Sequence, residues 1–233
     1  MILYSTIKIG EYFDEKEHSD SVVSELVDDA VVFDSDDKSV NNNDSVCAPL
    51  KIDFKKLQKK NKDIIAWIYC EGTPINYPIV QGSNNEVYLH QLTNGSYNEN
   101  GTLFLDCRCK SDFSNLNSII YGHNMHSNAM FGSLDRYKHQ KYYDNHPDIW
   151  LLTPNGNYVI ELFAGFVTSD NSISYNQTYS EDDFNSYIKS SIEKSTFKSE
   201  VDTDSIDKII TLSTCSYEYE NARYVVLGKQ KKQ

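Results

Sequence analysis

Three side chains in this sequence have the types and settings that acyl-transfer chemistry needs. Cys215 ends the β-branched run "KIITLSTC" (208–215), and Arg223 opens the next apolar run, "RYVVLGK" (223–229). Alternation along the first run puts Ile209, Thr211, Ser213 and Cys215 on one face, with Ile210, Leu212 and Thr214 on the other. A seven-residue connection then leads to Arg223. If the two runs pair as a hairpin, Cys215 and Arg223 stand side by side at one end of a sheet. A fixed cation beside a thiol favours thiolate, and guanidinium donors stabilise an oxyanion. The same pair also suits a buried structural thiol and a surface arginine closing a strand.

A nucleophilic cysteine needs a proton shuttle, normally histidine. Of the six histidines, His123 closes the apolar run "SIIYGHN" (118–124), with Ile119, Tyr121 and His123 on one face. Gly122 and Asn124 flank it and permit a sharp turn. His123 is either a hydrogen-bonded strand-end residue or a general base. His126 sits past the turn, and His18, His90, His139 and His146 fall in polar settings that read as solvent-facing.

These residues need a scaffold that brings strand ends together. Eight short segments are rich in β-branched or aromatic residues and separated by Gly, Asn, Pro and Ser: "AWIYC", "INYPIVQ", "GTLFLDCR", "NSIIYGHN", "DIWLLTP", "YVIELFAGFVTS", "KIITLSTC" and "RYVVLGK". They read as one β-barrel or sandwich. Helical periodicity appears at 14–33, at 129–138 and at 180–197, the last with Ser180 as N-cap and Asp183 at the capping-box position. A further helix capped by Asp53 is expected to bury Phe54, Leu57, Ile64 and Ile65 and to end before Trp67.

The formal charge of −12 is unevenly spread. Residues 1–48 hold 12 acids and 3 bases, so the remainder is near neutral and carries no basic stripe of the kind that binds nucleic acid. Residues 34–45, "DSDDKSVNNNDS", read as an acidic linker, which divides the chain into 1–48 and a domain at 49–233. Five cysteines at irregular spacing argue against a disulfide framework, and Cys107-x-Cys109 is too short for a zinc knuckle. If "TLFLDCRC" continues as a strand, both of those thiols point to one face. No run of 18 apolar residues is present.

In combination, "TLSTC", an arginine eight residues after the cysteine and an upstream "YGHN" resemble the signature of the sortases. "WIYCEGTPINYPIVQGSNNEVYL" (67–89), "GTLFLDCR" (101–108), "IIYGHNMHSNAMFGSL" (119–134) and the helix at 180–197 resemble class B members. The resemblance covers roughly residues 50–229 and departs at Cys107 and Cys109, where an aromatic and a polar residue are expected. It implies a mostly β fold: an eight-stranded sortase-type barrel with N-terminal helices and an extra helix between two late strands. It also implies a cysteine transpeptidase that cuts a C-terminal sorting motif after Thr and passes the acyl group to a cell-wall peptide amine.

On that reading Cys215 is the nucleophile and His123 the proton shuttle, while Arg223 holds substrate backbone or oxyanion. Ser213, Thr214, Asn85, Leu89 and Tyr175 fall at substrate-groove positions. No cofactor or metal is implied. The implied partners are a sorting peptide of NPxTx type or a variant of it, and a peptidoglycan precursor amine. Class B members are usually anchored by one N-terminal membrane helix with the catalytic domain outside the cell. "MILYSTIKIGEYF" (1–13) resembles the end of such an anchor, truncated here, and 11–48 a stalk. Two other readings use the same residues: a cysteine peptidase that releases product to water, and a non-catalytic cell-surface β-barrel that binds without reacting.

Overall fold

The computed structural model describes residues 2–33 and 48–233, so the acidic linker and Cys47 lie outside the described residues. Helix α1 (Ile2–Ala30) is longer than its periodicity at 14–33 suggested, and its last expected residues instead form strand β1 (Val31–Phe33). β1 pairs antiparallel with β2 (Leu50–Ile52), with Val31 opposite Ile52. Val, Val and Phe in succession favour the pleated strand over a last helical turn. No helix among the described residues is long and apolar enough to cross a membrane.

Helix α2 (Phe54–Lys60) starts as expected, the Asp53 side chain accepting from Lys56 N at 3.1 Å. It stops sooner than the sequence suggested. Asn61 is already extended, and Ile64 and Ile65 belong to strand β3 (Ile64–Tyr69) rather than to the helix face. The β-branched pair and the following aromatics outweigh the helical spacing that linked them to Leu57.

The remaining expected strands form: β4 (Asn76–Val80), β5 (Phe104–Leu105), β6 (Asn117–Tyr121), β7 (Asp148–Thr153), β8 (Gly156–Ser169), β9 (Ile209–Cys215) and β10 (Ala222–Lys232). With β3 they close an eight-stranded barrel in the order β10-β8-β7-β3-β4-β5-β6-β9. Closure leaves no barrel edge to protect. Most ladders are antiparallel, but β4–β5 and β6–β9 are parallel. Trp67, Ile68, Ile79, Ile120, Leu162, Phe163, Leu212 and Val226 are fully or almost fully buried in the core.

β5 is far shorter than "GTLFLDCR" because Asp106 turns the chain. Its carboxylate accepts from Arg108 N, and Cys109 N donates to Asp106 O. Cys107 and Cys109 are therefore turn residues, one partly exposed and one buried, not neighbours on a strand face. The helical spacing at 129–138 becomes a 3₁₀ helix at Gly132–Lys138, followed by α3 (Gln140–Asn145). Asn128 and Met130 hold positive φ, which delays the helix start past Ala129. α4 (Glu181–Lys194) begins as expected, with Ser180 Oγ accepting from Asp183 N and donating to the Asp183 carboxylate.

α1 lays Leu26 and Ala30 into a cluster with Leu50, Leu57, Ile64 and Trp67, while Val22 is buried further along the same helix. We propose that 49–233 nevertheless forms the catalytic unit, since among the described residues none before Asn85 lines the cleft described below. Deleting 1–48 is expected to keep peptide cleavage within a few-fold. Val22 and Leu26 are worth about 2 kcal/mol each, so the melting temperature should fall by about 10 °C. Calorimetry and initial rates on the two forms check this, and an insoluble or inactive 49–233 would make α1 part of the catalytic fold.

Candidate active site

Parallel pairing of β6 with β9 decides where His123 lies relative to Cys215. Tyr121 stands opposite Ser213. His123 is two residues beyond the first and Cys215 two beyond the second, so both emerge at the same end of the barrel. The strand ends are stitched together there: Gly122 N donates to Ser213 O (3.1 Å), Thr214 Oγ1 to Gly122 O (2.8 Å) and Asn124 Nδ2 to Cys215 O (2.8 Å). β10 lies antiparallel on the other side of β9 and sets Arg223 directly opposite Cys215. Parallel and antiparallel ladders thus deliver thiol, imidazole and guanidinium to one rim.

That rim opens into a cleft of about 410 Å³. Cys215, His123, Arg223, Ser213, Thr214, Asn85, Leu89 and Tyr175 all line it. Cys215 is partly exposed to the cleft, whereas burial raises the thiols of Cys70 and Cys109, the latter to about 11. Those two are packed and protonated at neutral pH, and Cys215 is the one cysteine among the lining residues.

His123 is largely withdrawn from solvent, and burial lowers its pKa, partly offset by its bond to Leu89. Nε2 lies 2.7 Å from Leu89 O. A carbonyl can only accept, so Nε2 carries the proton and Nδ1 is left as the titrating nitrogen. Leu89 is therefore a backbone anchor for the imidazole as well as a cleft wall. The anchor depends on Gly101, which has φ +56°, and a Cβ built there would fall 2.3 Å from Leu89 O and 2.5 Å from Tyr88 O. Gly101→Ala is expected to push the Leu89 carbonyl away and cost about 10–10² in kcat/KM, with Cys215 still present for alkylation. A variant that keeps wild-type kcat/KM would show that the Leu89 contact does not matter.

The Arg223 guanidinium is partly buried. Nη1 donates to Ala222 O at 3.0 Å, and Nη2 lies 3.9 Å from Asp170 Oδ2. Among the described residues this leaves most of its five donors without a partner. Ser213 and Thr214 are almost fully buried, and their hydroxyls are already engaged, Ser213 Oγ with the Tyr175 hydroxyl at 2.9 Å and Thr214 with Gly122 O. As placed, they hold the strand that carries Cys215. Burial pushes the Tyr175 hydroxyl up to about 12, so it stays protonated. Asn85 Oδ1 accepts from Cys107 N at 2.7 Å and fixes the opposite wall.

Several cleft residues were not foreseen. Arg108 lines it and grips the buried Asp106 carboxylate through Nε (2.9 Å) and Nη2 (2.7 Å), while Tyr121 OH donates to the same carboxylate. Burial opposes ionisation of Asp106, but these bonds hold its pKa below the usual carboxylate range. Asp170, Asn171, Ser172 and Asn176 line the far wall. Asn117 fastens that wall: its Nδ2 donates to Ser174 O and Asn176 O, and its Oδ1 accepts from Thr211. His126 is exposed and lines a separate polar hollow with Asp135, Arg136 and His139. His90 is exposed, as expected, and one face of its ring also packs against His123.

A sortase domain family model matches residues 68–231. The chain is 34% identical over 232 residues to sortase B of Listeria monocytogenes, covering 98% of this chain and 92% of that protein. A Staphylococcus aureus sortase B–substrate complex superposes with a TM-score of 0.72 at 32% identity, covering 77% of this chain and 84% of that one. Sortase B from B. anthracis superposes at 0.79 with 28% identity, covering 95% and 100%.

Proposed function

This chain belongs to the sortase family and is a sortase-type enzyme of class B, and from that premise we propose that it cleaves a C-terminal sorting motif after Thr and transfers the acyl group to a cell-wall peptide amine. The observation that carries this reading is the meeting of Cys215, His123 and Arg223 at one rim through the β6–β9–β10 ladders.

Cys215 Sγ attacks the Thr carbonyl carbon as thiolate. The electron pair of the breaking C–N bond leaves on the amine, which takes a proton from protonated His123, and a thioester remains. An incoming amine then attacks the thioester, His123 takes up its proton and the thiolate departs. Arg223 supplies donors to the substrate backbone or to the oxygen that becomes negative in each tetrahedral step. The cleft walls, Asn85 and Leu89 on one side and Tyr175 on the other, hold the peptide. No step needs a metal or cofactor. The substrate is a peptide of NPxTx type or a variant, and the acceptor a peptidoglycan precursor amine. The site of action is the outer face of the membrane of a Gram-positive cell, held there by a single N-terminal anchor in the full-length protein.

Mass spectrometry of an NPxTx-type peptide incubated with enzyme, with and without an oligoglycine amine, tests this. The expected product joins the peptide, cut after Thr, to the amine. Hydrolysed product alone, at a rate unaffected by the amine, would replace transfer by peptidase activity. No product with any peptide tried, together with a Cys215 that resists alkylation at neutral pH, would favour the binding module.

A further inference from the structure

We propose that His90 is a positioning residue for His123, and that residues 89–101 form a clamp holding the imidazole by its edge and its face at once. The proposal rests on the reading of His123 as the proton shuttle.

Leu89 and His90 are consecutive, and each does a different part of the work. The Leu89 carbonyl lies 2.7 Å from Nε2, at the edge of the ring. The His90 ring lies over the His123 ring, with centroids 5.5 Å apart and planes 27° from parallel. A hydrogen bond at that edge still allows an imidazole to rock about the bond direction, and a stacked ring blocks that motion. Tyr97 continues the stack on His90 at 5.9 Å and 29°. The loop's own bonds place these rings: Asn98 N donates to His90 O, Leu92 N to Ser96 O, Thr102 N to Tyr88 O and Thr102 Oγ1 to Gln91 O. Asn98 Nδ2 donates to Glu15 O and ties the loop to α1.

The charges around this stack have opposite effects on His123. Protonated His90 disfavours a second positive ring beside it, and Glu99 favours one. The Glu99 carboxylate lies 3.5 Å from His90 Nδ1 and accepts from Tyr97 OH. Glu15 of α1 adds a negative charge near Tyr97. From the cleft side, Cys215 and Arg223 share the rim with His123, and Asp170 stands behind Arg223. His90→Phe keeps a flat ring without the charge, so His123 should hold its proton to higher pH. Glu99→Gln removes the countercharge, so His123 should lose its proton at lower pH.

The test has a kinetic arm and a titration arm. Initial rates of peptide transfer to an amine should show His90→Ala losing about tenfold in kcat with KM within about twofold, and His90→Phe recovering most of that loss. NMR titration of His123 Cε1–H in a Cys215→Ala background, where the thiol no longer couples to it, should show the midpoint rising in His90→Phe and falling in Glu99→Gln. His90→Ala at wild-type kcat, or His90→Phe no better than Ala, would overturn the clamp. An unmoved His123 midpoint in both charge variants would overturn the electrostatic part. The titration arm needs no turnover, so it decides the electrostatic part even if transfer to an amine is not the reaction, and the clamp is then read from peptide cleavage rates.

Discussion

Replacing Cys215 by Ala is expected to abolish both cleavage of a sorting peptide and its transfer to an amine. No acyl-enzyme can form, and no other thiol stands in the cleft among its lining residues. Cys70 and Cys109 are buried with raised pKa values, and Cys107 sits in the turn whose backbone is bound by Asn85. His123→Ala should follow closely, losing about 10²–10⁴ in rate. His126→Ala should stay within about twofold, because its ring lines a different hollow across the 123–130 turn. Initial rates with and without an amine acceptor separate these cases. If His126→Ala proved as damaging as His123→Ala, the proton shuttle would have been assigned to the wrong ring. Residual transfer by Cys215→Ala above the uncatalysed level would remove the thioester from the mechanism.

The strand pattern was legible because alternation and β-branched residues carry information about burial at every second position. All eight segments read as strands enter the barrel. The side-by-side placement of Cys215 and Arg223 was legible for a narrower reason: a short connection between two apolar runs leaves little choice of register, and Arg223 stands opposite Cys215. The approach of His123 was not derivable from spacing, because 87 residues lie between the end of β6 and the start of β9, and their parallel pairing is a property of the whole barrel. Only the family resemblance joined the two.

What stayed hidden is mostly made by loops. His90 is solvent-exposed, as its polar neighbours in sequence suggested, but its ring contact with His123 is set by a loop folded back through Gly101 and Asn98. Asn117 sat in a run scored as strand, and a buried amide that serves a distant loop leaves no mark on periodicity. Ile64 and Ile65 show the converse error. They satisfy helical spacing from Leu57, but Asn61 breaks the helix and their β-branched side chains belong to β3. Asp106 hid in the same way, as its turn with Arg108 cut short an apolar run that otherwise continued as strand.

Arg223→Lys is expected to lower kcat/KM by about 10²–10³ although the charge is kept, the size of effect that follows loss of an oxyanion donor. The planar fork of arginine meets an oxygen or a peptide group at two points with little loss of freedom, whereas lysine offers a rotating point charge on a flexible stem. The resting geometry supports the distinction. One nitrogen of Arg223 is committed to Ala222 O and another sits at long range from Asp170, which orients the fork and leaves donors for a substrate. A lysine at 223 has three donors on one nitrogen and cannot satisfy Ala222 O and a substrate oxygen in the same directions. The split between constants then separates the two possible partners. A loss confined to kcat assigns the fork to the developing oxyanion, and a loss confined to KM assigns it to the peptide backbone. A lysine variant that turns over near the wild-type rate would mean that Arg223 acts through its field alone, and that two-point binding has no part in the reaction.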